Sequence, residues 1–258
     1  MEKDELILGD YRFTSRFFLG SGKTARYSQE LINTAVDIAG VQMISVAIKT
    51  LGDKDNVLNH IPEGIVVLPN TLGATSADEA ISMARRAREK GLGTMVKIEI
   101  MNDSKYLLPD NKETIKATDI LAKEGFKVLP YIYPSLSLCR KLVEAGAIGL
   151  MPLASPSGSN KGLATRDFIQ ALIKEMDVPI IVDAGIGRPS QACEAMEMGA
   201  AAIMANTAIA TAGDVPAMAE AFRLAIEAGR KAYLTGMGRV LARGGSASDP
   251  LTGFLGGK

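Results

Sequence analysis

Eight short runs rich in Val, Ile, Leu and Met recur along this chain, at residues 17–20, 43–48, 65–68, 95–100, 128–132, 148–151, 179–182 and 202–204. Gly, Pro, Asn and Ser cluster after them, and stretches with helical periodicity follow at 28–40, 76–91, 112–125, 135–146, 165–176, 190–199 and 215–233. Several of these stretches open at Ser or Thr, as at Ser76 and Ser135, and stop at Gly91, Gly125, Gly146 or Gly199, the expected capping pattern. The link at 49–64 reads instead as a longer loop or a poor helix. Strand followed by helix, repeated in this way, requires parallel strands with helices on their faces. Over 258 residues the repeat predicts a single-domain α/β fold, a (β/α)₈ TIM barrel in preference to a doubly wound sheet, although an open sheet with extra strands shares the pattern. Residues 6–13 alternate loosely and predict a hairpin capping the barrel bottom. The barrel with this extension is assigned to 1–235, and 236–258, rich in Gly and Ser, reads as a flexible tail that a partner or ligand would order.

Charge narrows the function. With 29 basic and 29 acidic residues there is no net field and no basic stripe, so neither a nucleic-acid surface nor an anchor to acidic membranes is expected. No window approaches a membrane span. The start, Met1-Glu-Lys-Asp-Glu5, has no apolar stretch behind it and predicts no secretory signal, making the cytoplasm the expected compartment. Cys139 and Cys193 lie far apart on predicted helices and suggest neither a disulfide nor a metal knuckle. His60 is the single histidine, which disfavours a His base or a multi-histidine metal site.

The fourth run carries the most suggestive chemistry. In Thr94-Met-Val-Lys-Ile-Glu-Ile100 strand alternation puts Lys97 and Glu99 on one face and Val96 and Ile98 on the other. Burying an ammonium among Val and Ile is costly; it predicts a lowered lysine pKa and some free amine, the nucleophile of a Schiff-base enzyme. The competing reading is an ion pair on an exposed edge strand.

Barrel chemistry sits at the C-terminal ends of strands. The seventh run ends in Val182-Asp-Ala-Gly-Ile-Gly187, placing the Asp183 carboxylate at the tip beside glycines that let backbone N–H groups approach a ligand. The sixth runs into Ala154-Ser-Pro-Ser-Gly-Ser159 and the eighth into Asn206-Thr207-Ala208, loops of small residues able to donate hydrogen bonds. Gly158, Ala184, Gly185, Asn206 and Thr207 are therefore candidate phosphate contacts.

Other motifs carry less. Gly22-Lys23-Thr24 mimics the end of a Walker A loop, but Phe17 stands where its first glycine belongs. Gly20-x-Gly22-x-x-Ala25 lacks the acidic residue that a dinucleotide fold needs at the next strand tip, where Ile48 and Lys49 stand. His60 reads as a solvated or capping residue, and Arg85, Arg86, Arg88 and Lys90 as the wet face of a helix.

Taken together, Arg16-Phe-Phe-Leu-Gly-Ser-Gly-Lys23, Leu68-Pro-Asn-Thr71, Val96-Lys-Ile-Glu99, Leu107-Leu-Pro-Asp110, Val128-Leu-Pro-Tyr131, Met151-Pro152, Ala154-Ser-Pro156, Val182-Asp-Ala-Gly-Ile-Gly187 and Asn206-Thr-Ala208 resemble bacterial thiazole synthase over residues 6–248. Gly20-Ser-Gly22 departs from the family's usual Gly-Thr-Gly, and Leu153-Ala154 from its Gly-Ala. The resemblance implies a (β/α)₈ barrel, a homo-oligomer that is usually a tetramer, and no cofactor or metal. It implies condensation of 1-deoxy-D-xylulose 5-phosphate with dehydroglycine (2-iminoacetate), supplied by a separate oxidase or radical enzyme. Sulfur would come from the C-terminal thiocarboxylate of a ubiquitin-like carrier protein. The family's Schiff-base lysine falls on Lys97, its acid/base carboxylates on Glu99 and Asp183, and its phosphate-sugar contacts on Gly158, Ala184, Gly185, Asn206 and Thr207. The alternatives are a lysine-dependent aldolase or lyase acting on a phosphosugar, and a barrel that binds without turnover.

Overall fold

In the computed structural model, which describes residues 4–20, 29–51, 57–103 and 105–240, each apolar run supplies a strand of one parallel ring. A hairpin of β1 (Leu6–Leu8) and β2 (Tyr11–Phe13) comes first, followed by β3 (Phe17–Leu19), α1 (Gln29–Asp37), β4 (Met43–Ala47) and β5 (Val66–Asn70). The chain continues through α2 (Ala77–Glu89), β6 (Met95–Ile98), α3 (Asn111–Lys123), β7 (Lys127–Ile132), α4 (Leu136–Glu144) and β8 (Met151–Pro152). It ends with α5 (Arg166–Glu175), β9 (Ile181–Asp183), α6 (Pro189–Glu197), β10 (Ala202–Ala205), α7 (Thr207–Ala210) and α8 (Val215–Thr235). The strand order is β8-β7-β6-β5-β4-β3-β10-β9, and parallel bridges Leu150–Ile180 and Leu153–Asp183 bring the two ends of that order together. The expected TIM barrel is therefore observed.

Side-chain alternation sorts the strands into an outer and an inner core. On β6, Val96 and Ile98 face outward and pack with Val128 of β7 against Ala80, Ile81 and Ala84 of α2 and Ala117 and Leu121 of α3. Met95 faces inward with Phe18, Met43, Leu68, Leu129, Met151, Ile181, Ala202 and Met204, so that every strand contributes and β10 does so twice, filling the lower barrel. Leu6, Leu8 and Phe13 of the hairpin join this cluster from below, with Phe13 set edge-on to Phe18 at 5.2 Å, so the hairpin plugs the bottom as expected. Arg16 ties this end together: Nη2 pairs with Asp4 at 2.6 Å, Nη1 donates to the Ala201 carbonyl at 2.9 Å, and Arg230 reaches the same Asp4 at 2.7 Å.

Helix starts follow local chemistry. Ser76 accepts from the Glu79 N–H, Asp110 from those of Lys112 and Glu113, and Asp214 from that of Ala217. Ser135 stands at the N-cap of α4 without a capping side-chain bond. The link at 49–64 forms no α-helix among its described residues; 3₁₀ turns at Ile48–Thr50 and Val57–His60 take its place. Helix α7 has no counterpart in the sequence reading, because four residues are too short to show a helical period. The Gly22-Lys23-Thr24 segment and residues 241–258 of the proposed tail lie outside the described residues. No helix among the described residues is long and apolar enough to cross a membrane.

Candidate active site

Two residues above the apolar layer, the inward-facing positions turn polar on β4, β5, β6, β7 and β9, while Gly20, Leu153 and Met204 stand at that level for β3, β8 and β10. Met43 is followed by Ser45, Leu68 by Asn70, Met95 by Lys97, Leu129 by Tyr131 and Ile181 by Asp183. Alternation keeps each pair on the same face, so the strands carry a greasy floor and a polar ring above it. The ring opens on a cavity of about 240 Å³ at the C-terminal end of the barrel. Ser45, Asn70, Lys97, Glu99, Tyr131 and Asp183 all line it.

Lys97 is the centre of this ring. It is 6% exposed, and its Nζ lies 2.5 Å from Asp183 Oδ2 and 2.8 Å from Glu99 Oε1. The edge-strand alternative is thereby excluded, since β6 has a neighbour on each side and the lysine points inward. The expected lowering of the Lys97 pKa is also corrected. Burial does pull it down, but the charges and hydrogen bonds of Asp183 and Glu99 outweigh that and hold it above the ordinary lysine value. The reason was invisible from β6 alone, because the closer carboxylate arrives from β9.

The residues that carry the carboxylates are pinned through their own main chain. Thr71, just past β5, accepts from the Glu99 N–H at 2.9 Å through its hydroxyl and donates to the Glu99 carbonyl at 3.0 Å. The Asp183 carbonyl accepts from the Ala154 N–H at 3.0 Å, fixing the tip of β9 to the loop after β8. Asn70 donates to Ser45 Oγ at 2.8 Å and accepts from the Leu72 N–H at 3.1 Å, so these two polar residues orient each other.

Gly158, Ala184, Gly185, Asn206 and Thr207 line the same cavity as Lys97, Glu99 and Asp183, and the structure thus gathers every residue singled out for the site. The loops carrying them are pressed together. A Cβ on Gly185 would lie 1.9 Å from Ser155 Oγ, and one on Gly187 would lie 2.4 Å from the Asn160 carbonyl oxygen. The Gly162 N–H donates to the Gly185 carbonyl at 2.8 Å across the same seam. Among the described residues, the non-glycine residues with positive φ are Leu107 (53°), Asn160 (52°) and Ala184 (61°), and all of them line the cavity. Left-handed backbone at non-glycine residues is costly and gathers where a fold must place groups for a ligand. Among the described lining residues Lys97 is the sole cationic side chain, and the side of Gly158, Gly185 and Thr207 carries none.

Reasoning from sequence missed Tyr131, Ser45 and Asn70 as cavity residues. The available signal was a polar residue interrupting an otherwise apolar strand run at the inward phase, the same signal that exposed Lys97. Outside the cavity, His60 closes a 3₁₀ turn, Arg85 and Arg88 pair with Glu124 on the surface of α2 and α3, and both cysteines are free. No group of three or more metal-ligating side chains occurs among the described residues.

Comparison with known proteins places these features in a lineage. The family described as thiazole biosynthesis protein ThiG matches residues 7–250. A thiazole synthase from Clostridium beijerinckii is 64% identical over 257 residues, covering 99% of both chains. One from Fusobacterium nucleatum is 61% identical over 257 residues, again covering 99% of both. Among solved structures, the Amycolatopsis orientalis BexX/CysO complex matches with a TM-score of 0.82 and 30% identity, covering 92% of this chain and 98% of the other.

Proposed function

The chain belongs to the ThiG family of thiazole biosynthesis proteins and is a thiazole synthase of thiamine biosynthesis, from which we propose that it works through an imine on Lys97. The observation that carries the proposal is the Lys97 ammonium clamped between Asp183 and Glu99 at the floor of the cavity. In this reading 1-deoxy-D-xylulose 5-phosphate enters with its phosphate against the Gly158, Ala184–Gly185 and Asn206–Thr207 loops. A proton passes from Nζ to Asp183, the freed amine adds to the C2 carbonyl, and the carboxyl returns the proton as water leaves. The resulting iminium acidifies the C3 proton, the Asp183–Glu99 pair removes it, and rearrangement presents a C3 carbonyl. The thiocarboxylate of a ubiquitin-like carrier then delivers sulfur, and condensation with dehydroglycine from a separate oxidase or radical enzyme closes the ring with loss of water.

A protein partner is supported by the BexX/CysO complex, a two-component assembly of a chain with this fold. A homotetramer in the cytoplasm completes the proposal. Borohydride trapping with 1-deoxy-D-xylulose 5-phosphate, followed by intact mass and peptide mapping, tests its core. One phosphosugar adduct on Lys97, absent from Lys97→Ala, is expected; an adduct on another lysine, or none, would overturn the imine.

A further inference from the structure

Tyr131 is 2% exposed, lines the cavity, and its hydroxyl has no hydrogen-bond partner among the described residues. The ring packs with Met101 and Leu153, against Leu107 and Ala184, and Lys97 Nζ stands 5.3 Å from its centroid. A phenyl ring would satisfy all those apolar contacts. The hydroxyl adds only a buried O–H that loses water on folding and gains nothing from the protein, a net cost.

We propose that the Tyr131 hydroxyl is a substrate contact, donating a hydrogen bond to an oxygen at the imine-forming end of the phosphosugar. The inference rests on the imine reading above and adds to it the group that meets the sugar backbone. Its polarity as a donor follows from its surroundings: burial and the nearby charges of Asp183 and Glu99 hold the phenol above its ordinary pKa and keep the proton on oxygen. It therefore neither abstracts protons nor competes with the carboxylates that Lys97 already engages. Its work is orientation, presenting the C2 carbonyl to Nζ.

Tyr131→Phe removes the oxygen alone. Trapping rates measured against sugar phosphate concentration are expected to show on the order of tenfold lower efficiency in the variant. Its urea midpoint should be equal to or above the wild type's, and its inhibition by inorganic phosphate unchanged. Wild-type trapping efficiency in the variant would overturn the inference, as would a parallel loss of phosphate inhibition, which would signal general damage to the cavity. A wild type that traps nothing would sink the imine reading and this inference with it, whereas a trapping wild type matched by its variant would sink this inference alone.

Discussion

Lys97 Nζ and Asp183 Oδ2 lie 2.5 Å apart although β6 and β9 are not neighbours in the strand order, with β7 and β8 between them. Only an inward-facing pair in a ring can meet this way, so the contact depends on barrel closure, not on any local motif. Glu99, two residues from Lys97, adds the second carboxylate at 2.8 Å from the same nitrogen.

Removing the cation should therefore unsettle the barrel as well as the chemistry. Lys97→Met leaves Asp183 and Glu99 buried side by side without their counter-ion, and breaking a buried ion pair from one side costs about 3–5 kcal/mol. Urea unfolding at neutral pH measures the loss. A variant as stable as the wild type would show that the pair is solvated enough to need no partner.

The same cluster sets a pH dependence. Lys97 is held above the ordinary value of 10.5 in the folded chain, so the unfolded chain loses its proton first as pH rises. The stability it contributes is present in full below 10.5 and is lost progressively as pH climbs from there through the folded value. The stability gap between wild type and Lys97→Met should thus be constant between about pH 8 and 9.5 and shrink by about pH 11.5. A gap that widened instead would mean that burial, and not the carboxylates, governs the lysine.

The seam between the loops after β8 and β9 gives a paired expectation. Gly185→Ala places a Cβ 1.9 Å from Ser155 Oγ at a φ of +78° and should cost about 2–4 kcal/mol, from overpacking and left-handed strain together. Ala184→Gly relaxes a φ of 61° at the price of a freer unfolded chain, and should leave stability within about 1 kcal/mol of wild type. Denaturant midpoints of both variants decide it. Equal losses would mean that the seam is looser than its backbone contacts indicate.

What the sequence disclosed, and what it hid, follows from the range of the interactions. The apolar runs and their glycine and serine punctuation are local, and they specified the barrel and its hairpin plug. Lys97 and Asp183 stood out because charges at strand ends are conspicuous by type. Ser45, Asn70 and Tyr131 occupy the same ring on other strands and announce themselves only once the strands are in register. The direction of the Lys97 shift depends on a carboxylate from a distant strand, and the left-handed backbone at Leu107, Asn160 and Ala184 falls on residues that, unlike the glycines near two of them, do not advertise it.

The hairpin plug predicts a separation of stability from chemistry. Phe13 is 1% exposed and meets Phe18 edge-on beneath the apolar floor, while Lys97 stands in the layer above that floor. Phe13→Ala removes a large buried ring and should cost about 3–5 kcal/mol. Ile7, on the same hairpin but 50% exposed, supplies the contrast: Ile7→Ser should shift stability by no more than about 0.5 kcal/mol. If the floor insulates the polar ring, Phe13→Ala will unfold at lower urea yet trap sugar phosphate on Lys97 at the wild-type rate wherever it remains folded. Loss of trapping in folded protein would show instead that packing at the bottom of the barrel sets the position of the lysine at the top.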